Sequence, residues 1–206
     1  MSVVVLISGR GSNMQAILEA GIPVSAVVSN RADAAGLAIA AQRGVATAVV
    51  EHRHYASREA FDAALAAEVE RHAPRLVALA GFMRILTPGF VARFEGRIMN
   101  IHPALLPAFK GLHAQRQALE YGVKIAGATV HFVDEHLDHG PIIIQGAVPV
   151  APDDTEETVL ERILRVEHEI YPTAIQLYAE GRLAVEGRRV RVRGGSPPGG
   201  PQVIGW

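Results

Sequence analysis

The chain has 206 residues and no cysteine, and its 20 Lys and Arg residues against 21 Asp and Glu residues leave a net charge of −1. This length favours one domain that needs no disulfide or metal for stability, and the lack of cysteine excludes thiol nucleophiles and cysteine zinc sites. The near-neutral charge argues against a general nucleic-acid binder, which usually carries a basic excess. No apolar run reaches the roughly 18 residues of a membrane helix, and the N-terminus lacks the basic start of a signal peptide. We therefore expect a soluble, cytoplasmic, globular protein that binds neither nucleic acid nor a membrane.

The first half of the sequence alternates short apolar runs with helical patterns. Strands are predicted over residues 3–7, 24–29, 46–50, 76–80 and 98–101, of which the first and the fourth are expected to be buried. The helices between them are predicted to start at Ser12 or Asn13, to cover residues 36–43, to run from the Ser57 cap to about residue 72, and to start at Thr87-Pro88. Strands that alternate with helices are typical of a parallel sheet with helices on both faces.

The pattern changes in the second half. Two longer strands, residues 124–133 and 142–150, flank a polar turn and should pair antiparallel. Thr155 caps a long helix to about residue 180, which we expect to be bent or interrupted near Pro172.

The C-terminal residues form a different segment. Residues 183–186 and 189–192 predict a small hairpin that turns at Gly187. The Pro- and Gly-rich stretch from Ser196 predicts a flexible tail, in which Ile204 and Trp206 either dock on a protein surface or fray.

The elements together predict an α/β fold with two sequence segments. Residues 1–182 form a single Rossmann-like domain, with a parallel N-terminal sheet half that is extended by an antiparallel C-terminal strand pair and with helices on both faces. Residues 183–206 form the hairpin and the flexible tail.

A glycine loop, S-G-R-G-S-N over residues 8–13, follows the first strand and precedes a helix. Ligands of open α/β sheets gather at the carboxyl ends of strands, and backbone N–H groups at a helix N-terminus suit a phosphate. Met14 stands where a dinucleotide fingerprint needs its third glycine, and no Gly-Lys-Ser/Thr follows as in a P-loop. A single phosphate or mononucleotide is therefore predicted, with a tight turn and helix cap as the alternative.

The fifth strand ends in Asn100-Ile101-His102-Pro103. Alternation places Asn100 and His102 on the same side, about 6.5 Å apart along the strand. An amide donor beside an imidazole suits oxyanion stabilisation and proton transfer, and the acidic turn over residues 134–140 could supply a carboxylate to His102. A structural histidine and a solvated turn are the alternatives. The sequence contains no G-x-S-x-G motif of a serine nucleophile. An amide, an imidazole and a carboxylate without a nucleophile favour direct group transfer to an external amine or water.

Histidines and aspartates could also suggest a metal site, either over residues 134–139 or over residues 52–54. Neither segment has a helical i, i+4 pair or a third spaced ligand. No metal and no nicotinamide cofactor are therefore predicted.

At these residues the sequence closely resembles the phosphoribosylglycinamide formyltransferase family of folate-dependent enzymes. The matching stretches are residues 4–13, 79–86, 100–107, 111–113, 127–133, 137–143 and 167–172. The resemblance implies transfer of the formyl group of the co-substrate 10-formyltetrahydrofolate to the amine of glycinamide ribonucleotide. The products are formylglycinamide ribonucleotide and tetrahydrofolate, and the reaction belongs to purine biosynthesis.

The resemblance also implies roles for individual residues. The implied catalytic residues are Asn100, His102 and Asp138. The implied ribonucleotide-binding residues are Gly11, Ser12 and Asn13 at the phosphate, and Leu164, Arg165 and Val166 leading into Glu167 at the ribose. The implied folate-binding residues are Arg58, Met83, Arg84, Ile85, Leu86 and Asn100, with the second folate loop Asp134, Glu135, His136, Leu137 and Asp138.

Three related functions stay open beside this one. A formyltetrahydrofolate hydrolase usually carries an extra N-terminal domain, and a methionyl-tRNA formyltransferase carries an extra C-terminal domain. The first strand begins at Val3 and few residues follow Arg182, so we expect neither. A catalytically silent nucleotide-binding module is the third alternative.

The protein is expected to be a monomer or a homodimer. His139 departs from the family, which commonly has a small or acidic residue there.

Overall fold

The structure is a computed structural model, and it describes residues 1–194. The predicted flexible tail from Ser196, with Ile204 and Trp206, lies outside the described residues. The chain divides into two units by its internal packing. The first consists of Met1–Ile101 and Phe132–Leu137, and the second of His102–His131 and the described residues from Asp138 onward.

Five parallel strands form the sheet of the first unit. They are β1 (Val3–Ile7), β2 (Val24–Ser29), β3 (Ala46–Val49), β4 (Leu76–Leu79) and β5 (Ile98–His102), whose last residue opens the second unit. Their spatial order is β3-β2-β1-β4-β5. The order therefore reverses between β1 and β4, which is where ligands of open α/β sheets bind.

Helices cover both faces of this sheet, as predicted. They are α1 (Ser12–Glu19), α2 (Ala35–Gln42), α3 (Arg58–Glu70) and α4 (Pro88–Arg93), and a short 3-10 turn, His52–His54, precedes α3. On one face, Leu6 packs in a cluster with Phe61 of α3 and Phe90 of α4. The next residue, Ile7, faces the opposite side, where its Cδ1 lies 2.6 Å from the place of a Cβ on Gly36 of α2. Alternation along β1 thus supplies both cores.

The helix starts show one wrong prediction and two confirmed ones. Ser57 and Thr87 cap their helices, with side chains that accept from the backbone N–H groups of Ala60 and Phe90. Helix α1 has no side-chain cap, because the residue before it is Gly11 in the left-handed region at φ 77°. Ser12 or Asn13 as the cap is therefore wrong.

The second unit contains α5 (Ala114–Tyr121), β6 (Ile125–Phe132), β7 (Ile142–Pro149), α6 (Glu156–Ala179), β8 (Leu183–Glu186) and β9 (Arg189–Val192). Strands β6 and β7 pair antiparallel, and so do β8 and β9, as predicted. Strand β9 also lies beside β7, with Ile142 opposite Arg189 in parallel. Helix α5 has no counterpart among the predicted elements.

Helix α6 continues through Pro172, so of the two predicted alternatives the interruption is wrong and the bend stays a prediction. Proline removes one backbone hydrogen bond of the helix. Tyr171 and Ile175 on either side of it are fully buried, and the hydroxyl of Thr173 donates to the carbonyl of Glu169 at 2.8 Å. Packing on these neighbours therefore offsets the lost bond.

The strands and helices confirm the predicted α/β class, with a parallel N-terminal sheet and an antiparallel C-terminal strand pair. The division of the sequence at residues 182 and 183 stays a prediction. Among residues 1–194 no helix combines the length and the apolar character that crossing a membrane requires.

Candidate active site

The predicted site residues fall into two groups, one in each unit. The first unit contains the glycine loop, Arg58, Asn100 and both predicted folate loops up to Leu137. The second contains His102, Asp138 and the segment of α6 that ends at Glu167.

The glycine loop is built around the close approach of two backbones. A Cβ on Gly11 would lie 2.9 Å from Met14 Cε and 3.0 Å from Gly36 Cα, and Gly36 N–H donates to the carbonyl of Gly9 at 3.1 Å. Ser12 and Asn13 are the first residues of α1. The N–H groups of a first helical turn have no acceptor within the helix, which suits a phosphate.

A buried side-chain network joins the end of β1 to the first folate loop. The Ser8 hydroxyl accepts the N–H of Met83 at 2.8 Å and donates to Asn30 Oδ1 at 2.6 Å. Asn30, which is 3% exposed, lies with its Nδ2 3.2 Å from His52 Nδ1. No sequence motif identifies this support, although Ser8 and Asn30 directly follow neighbouring buried strands.

The predicted first folate loop presents apolar side chains on a backbone fixed by hydrogen bonds. Met83 and Ile85 are 64% and 59% exposed, whereas Leu86 is buried. Arg58 Nη2 donates to the carbonyl of Ile85 at 2.9 Å, and the guanidinium of Arg84 lies 5.8 Å from the Phe61 ring centroid. Exposed apolar side chains beside fixed backbone groups suit a flat heteroaromatic ring.

The predicted second folate loop follows β6 in the sequence. Asp134 Oδ1 accepts the N–H of His136 at 2.9 Å, which closes a local turn, and Leu137 is about half exposed. Glu135 is exposed. In the first unit the loop begins next to β5, because Val133 N–H donates to the carbonyl of Ile98 at 3.0 Å.

The second unit brings His102 and Asp138 together, as the sequence predicts. Both side chains are buried, and Asp138 Oδ2 lies 3.4 Å from His102 Nδ1. The same oxygen accepts the N–H of Gly111 at 2.8 Å, while Oδ1 lies 3.8 Å from Nε2 of buried His131. His131 is a neighbour of the carboxylate that the sequence analysis did not identify, because a strand histidine gives no signal of its partner.

The imidazole of His102 has an oxygen at each nitrogen. Nδ1 faces Asp138, and Nε2 lies 2.9 Å from the carbonyl oxygen of Phe109. A doubly protonated ring can donate to both oxygens, whereas a neutral ring can donate to only one of them. The arrangement therefore suits a charged imidazolium that donates a hydrogen bond through Nε2.

Asn100 lies on β5 two residues before His102, so alternation directs both side chains to the same side of that strand. Asn100 is half-buried and stands opposite Leu79 of β4. An amide N–H at a strand end suits hydrogen bonding to a developing oxyanion.

The α6 segment contributes one buried carboxylate. Glu167 is 4% exposed and lies on the helix face that also buries Ile163 and Ile170. A buried carboxylate needs polar contacts that offset its lost hydration, and such residues are common at functional positions. Val166 faces the sheet instead, since a Cβ on Gly146 would overlap its Cγ1. Leu164 is half-buried and Arg165 is exposed.

Comparison with known proteins adds independent evidence. Residues 1–175 match the formyl transferase family. The chain is 50% identical over 189 residues to the phosphoribosylglycinamide formyltransferase of Escherichia coli, which covers 89% of each chain. It is 48% identical over 194 residues to the trifunctional purine biosynthetic protein adenosine-3 of Bos taurus, covering 90% of this chain but only 19% of that protein.

The fold has close neighbours among solved structures. The crystal structure of glycinamide ribonucleotide transformylase 1 from Symbiobacterium toebii is similar with a TM-score of 0.92, 53% identity and 94% of each chain covered. The phosphoribosylglycinamide formyltransferase from Coxiella burnetii gives a TM-score of 0.90 at 42% identity, again with 94% of each chain covered. These matches confirm both the resemblance and the fold class that the motifs predicted.

Proposed function

Because the chain belongs to the formyl transferase family, we propose that it transfers the formyl group of 10-formyltetrahydrofolate to the amine of glycinamide ribonucleotide, with Asn100, His102 and Asp138 in the catalytic roles. The observation that carries the catalytic assignment is the buried pair of His102 and Asp138, with Nδ1 and Oδ2 3.4 Å apart. A step in purine biosynthesis agrees with the names of the relatives.

His102 and Asn100 act on the oxygen of the formyl group. Attack of the neutral amine nitrogen on the formyl carbon forms a C–N bond and moves the carbonyl electron pair onto oxygen. Nε2–H of His102 and the Asn100 amide donate to that oxyanion. For His102 to do so, Nε2 exchanges the Phe109 carbonyl, now 2.9 Å away, for the substrate oxygen.

Asp138 stabilises the charge of the His102 imidazolium and takes part in the transfer of the amine proton. Its carboxylate pairs with the imidazolium through Nδ1. The attacking amine gives up one proton, which a water molecule held by the carboxylate passes to the departing folate nitrogen. The bond from the formyl carbon to that nitrogen then breaks, and formylglycinamide ribonucleotide and tetrahydrofolate leave.

The remaining residues bind the two substrates in this proposal. The first-turn amides of Ser12 and Asn13, with Gly11, bind the ribonucleotide phosphate, and Glu167 at the end of Leu164–Glu167 binds the ribose hydroxyls. The folate ring lies against the Met83–Leu86 and Asp134–Asp138 loops. Arg58 supports the first of these loops through the Ile85 carbonyl.

An exchange of one atom tests the catalytic role of Asp138. Asp138→Asn should lower kcat about 100-fold or more, as loss of a group in proton transfer does, and leave the KM for the ribonucleotide unchanged. Asp153→Asn makes the same charge change on an exposed residue and should be silent. An Asp138→Asn enzyme with normal kcat and a weakened ribonucleotide KM would contradict the assignment.

The acceptor is tested in the same assay. Release of tetrahydrofolate is followed with glycinamide ribonucleotide, with water alone and with other amines. We expect rapid release only with the ribonucleotide; rapid release in water would identify a hydrolase instead. No step of the proposed mechanism uses a metal or a nicotinamide, so dialysis against a chelator should leave kcat unchanged.

A further inference from the structure

The hairpin of β8 and β9 contacts the turn that carries Asp138. Arg188, at the tip of this hairpin, donates through Nη2 to the carbonyl of His139 at 2.8 Å. Its Nη1 lies 2.9 Å from His139 Nε2. The next residue, Arg189, stands opposite Ile142 in the pairing of β9 with β7. Two consecutive hairpin residues thus hold the chain at both ends of the segment 139–142.

The backbone at Asp138 needs such support. Its φ is 46°, a left-handed conformation that is strained for a residue other than glycine. A conformation of this kind persists only where the surroundings hold it. The Asp138 carboxylate contacts the N–H of Gly111 and His102 through Oδ2, and His131 through Oδ1. On the main-chain side, the residue that follows is held by Arg188.

We propose that Arg188 is a positioning residue for Asp138. Its hydrogen bond to the His139 carbonyl fixes the backbone next to Asp138 and so keeps the Asp138 carboxylate next to Nδ1 of His102. This inference rests on the proposed catalytic role of Asp138. It gives the C-terminal hairpin, which no motif of the sequence explains, a part in the reaction. It also explains the histidine at position 139, whose ring supplies the second contact for the guanidinium.

The geometry requires arginine. A guanidinium presents several N–H donors in one rigid plane and can serve a carbonyl and a ring nitrogen at once, whereas a lysine ammonium on its flexible stem does not hold that geometry. Arg191 of the same hairpin differs, because it pairs with Glu186 of β8 at 2.8 Å. Arg191 is therefore a matched control: an exposed hairpin arginine with the same charge that has no bond to the turn.

The first experiment compares single variants of the full chain. Arg188→Ala should lower kcat about 3- to 10-fold, the scale of one or two partly exposed hydrogen bonds, with the ribonucleotide KM unchanged. Arg188→Lys should restore little of this loss, and Arg191→Ala should leave kcat at the level of the unmodified protein. Equal kcat losses for Arg188→Ala and Arg191→Ala would overturn the proposal. If Arg188→Ala fails to fold, Arg188→Lys, which keeps the charge, makes the same comparison.

The second experiment asks whether Arg188 acts through Asp138. In an Asp138→Asn background, Arg188→Ala should lower kcat less than twofold further, because the group it positions is already gone. An unchanged 3- to 10-fold loss in that background would mean that Arg188 acts elsewhere, and the proposal would be wrong. Asp138→Asn by itself reports on the proposed catalytic role. The two proposals can therefore fail separately. If Asp138→Asn keeps the kcat of the unmodified protein, the catalytic role of Asp138 is wrong. If the kcat losses of Arg188→Ala and Asp138→Asn multiply in the double variant, the positioning role of Arg188 is wrong.

Discussion

Removal of the Ser8 hydroxyl tests how the folate loop is held. In Ser8→Ala the N–H of Met83 loses the oxygen that it now reaches at 2.8 Å, and Asn30 Oδ1 loses the hydroxyl that donates to it at 2.6 Å. Ser8 and Asn30 are both almost fully buried, so water cannot simply replace the missing group. The backbone of Met83 can regain a partner only if the loop moves toward solvent.

The magnitude follows from these two bonds. Each buried polar group left without a partner costs about 1–3 kcal/mol. If the loop bears one such cost whenever it takes up its binding conformation, the KM for the formyl-folate rises about 5- to 150-fold. The ribonucleotide KM should change less than about twofold, because Gly9 and Gly11 are held separately by Gly36.

The assay measures each KM at saturating concentrations of the other substrate, together with the thermal unfolding of each variant. Ser25→Ala is the matched control, since its hydroxyl donates to the carbonyl of Val3 at 3.2 Å near the opposite end of the sheet. The reasoning is refuted if the folate KM of Ser8→Ala equals that of Ser25→Ala. It is also refuted if Ser8→Ala raises the KM for both substrates by the same factor.

Two further predictions concern stability. Hydrogen bonds from the Arg162 guanidinium hold the pKa of the Asp154 carboxyl far below its ordinary value. This stabilisation is present above the unfolded pKa of about 3.9 and is lost as pH falls toward the folded value, so Asp154→Asn should lower the Tm at pH 7 and flatten its decline in acid. Gly146→Ala should cost about 1–3 kcal/mol, because its Cβ would overlap Val166; Gly89→Ala, which meets only one atom at 3.9 Å, is the control. Equal Tm values for the two glycine variants, or an unchanged acid profile for Asp154→Asn, would contradict these arguments.

Features that depend on neighbours along the chain could be predicted from the sequence. The apolar, β-branched run of β1 predicts a strand buried on both faces, and the structure gives it the same bounds. Ser57 and Thr87 are short polar residues before helical patterns, and each caps its helix. The motifs around His102 and Asp138 determined the family, which the comparisons confirm. Each of these signals is contained in a short stretch of neighbouring residues.

Tertiary structure decided the features that depend on residues far apart. Gly11 precedes α1 because its backbone lies against Gly36, 25 positions later, and α6 passes through Pro172 because buried neighbours pack around it. The pairing of Asp138 with His131 and of His139 with Arg188 leaves no mark on local composition. Side chains meet at these places because strands and turns are brought together in space, and the free energy of such contacts depends on geometry that no local pattern contains.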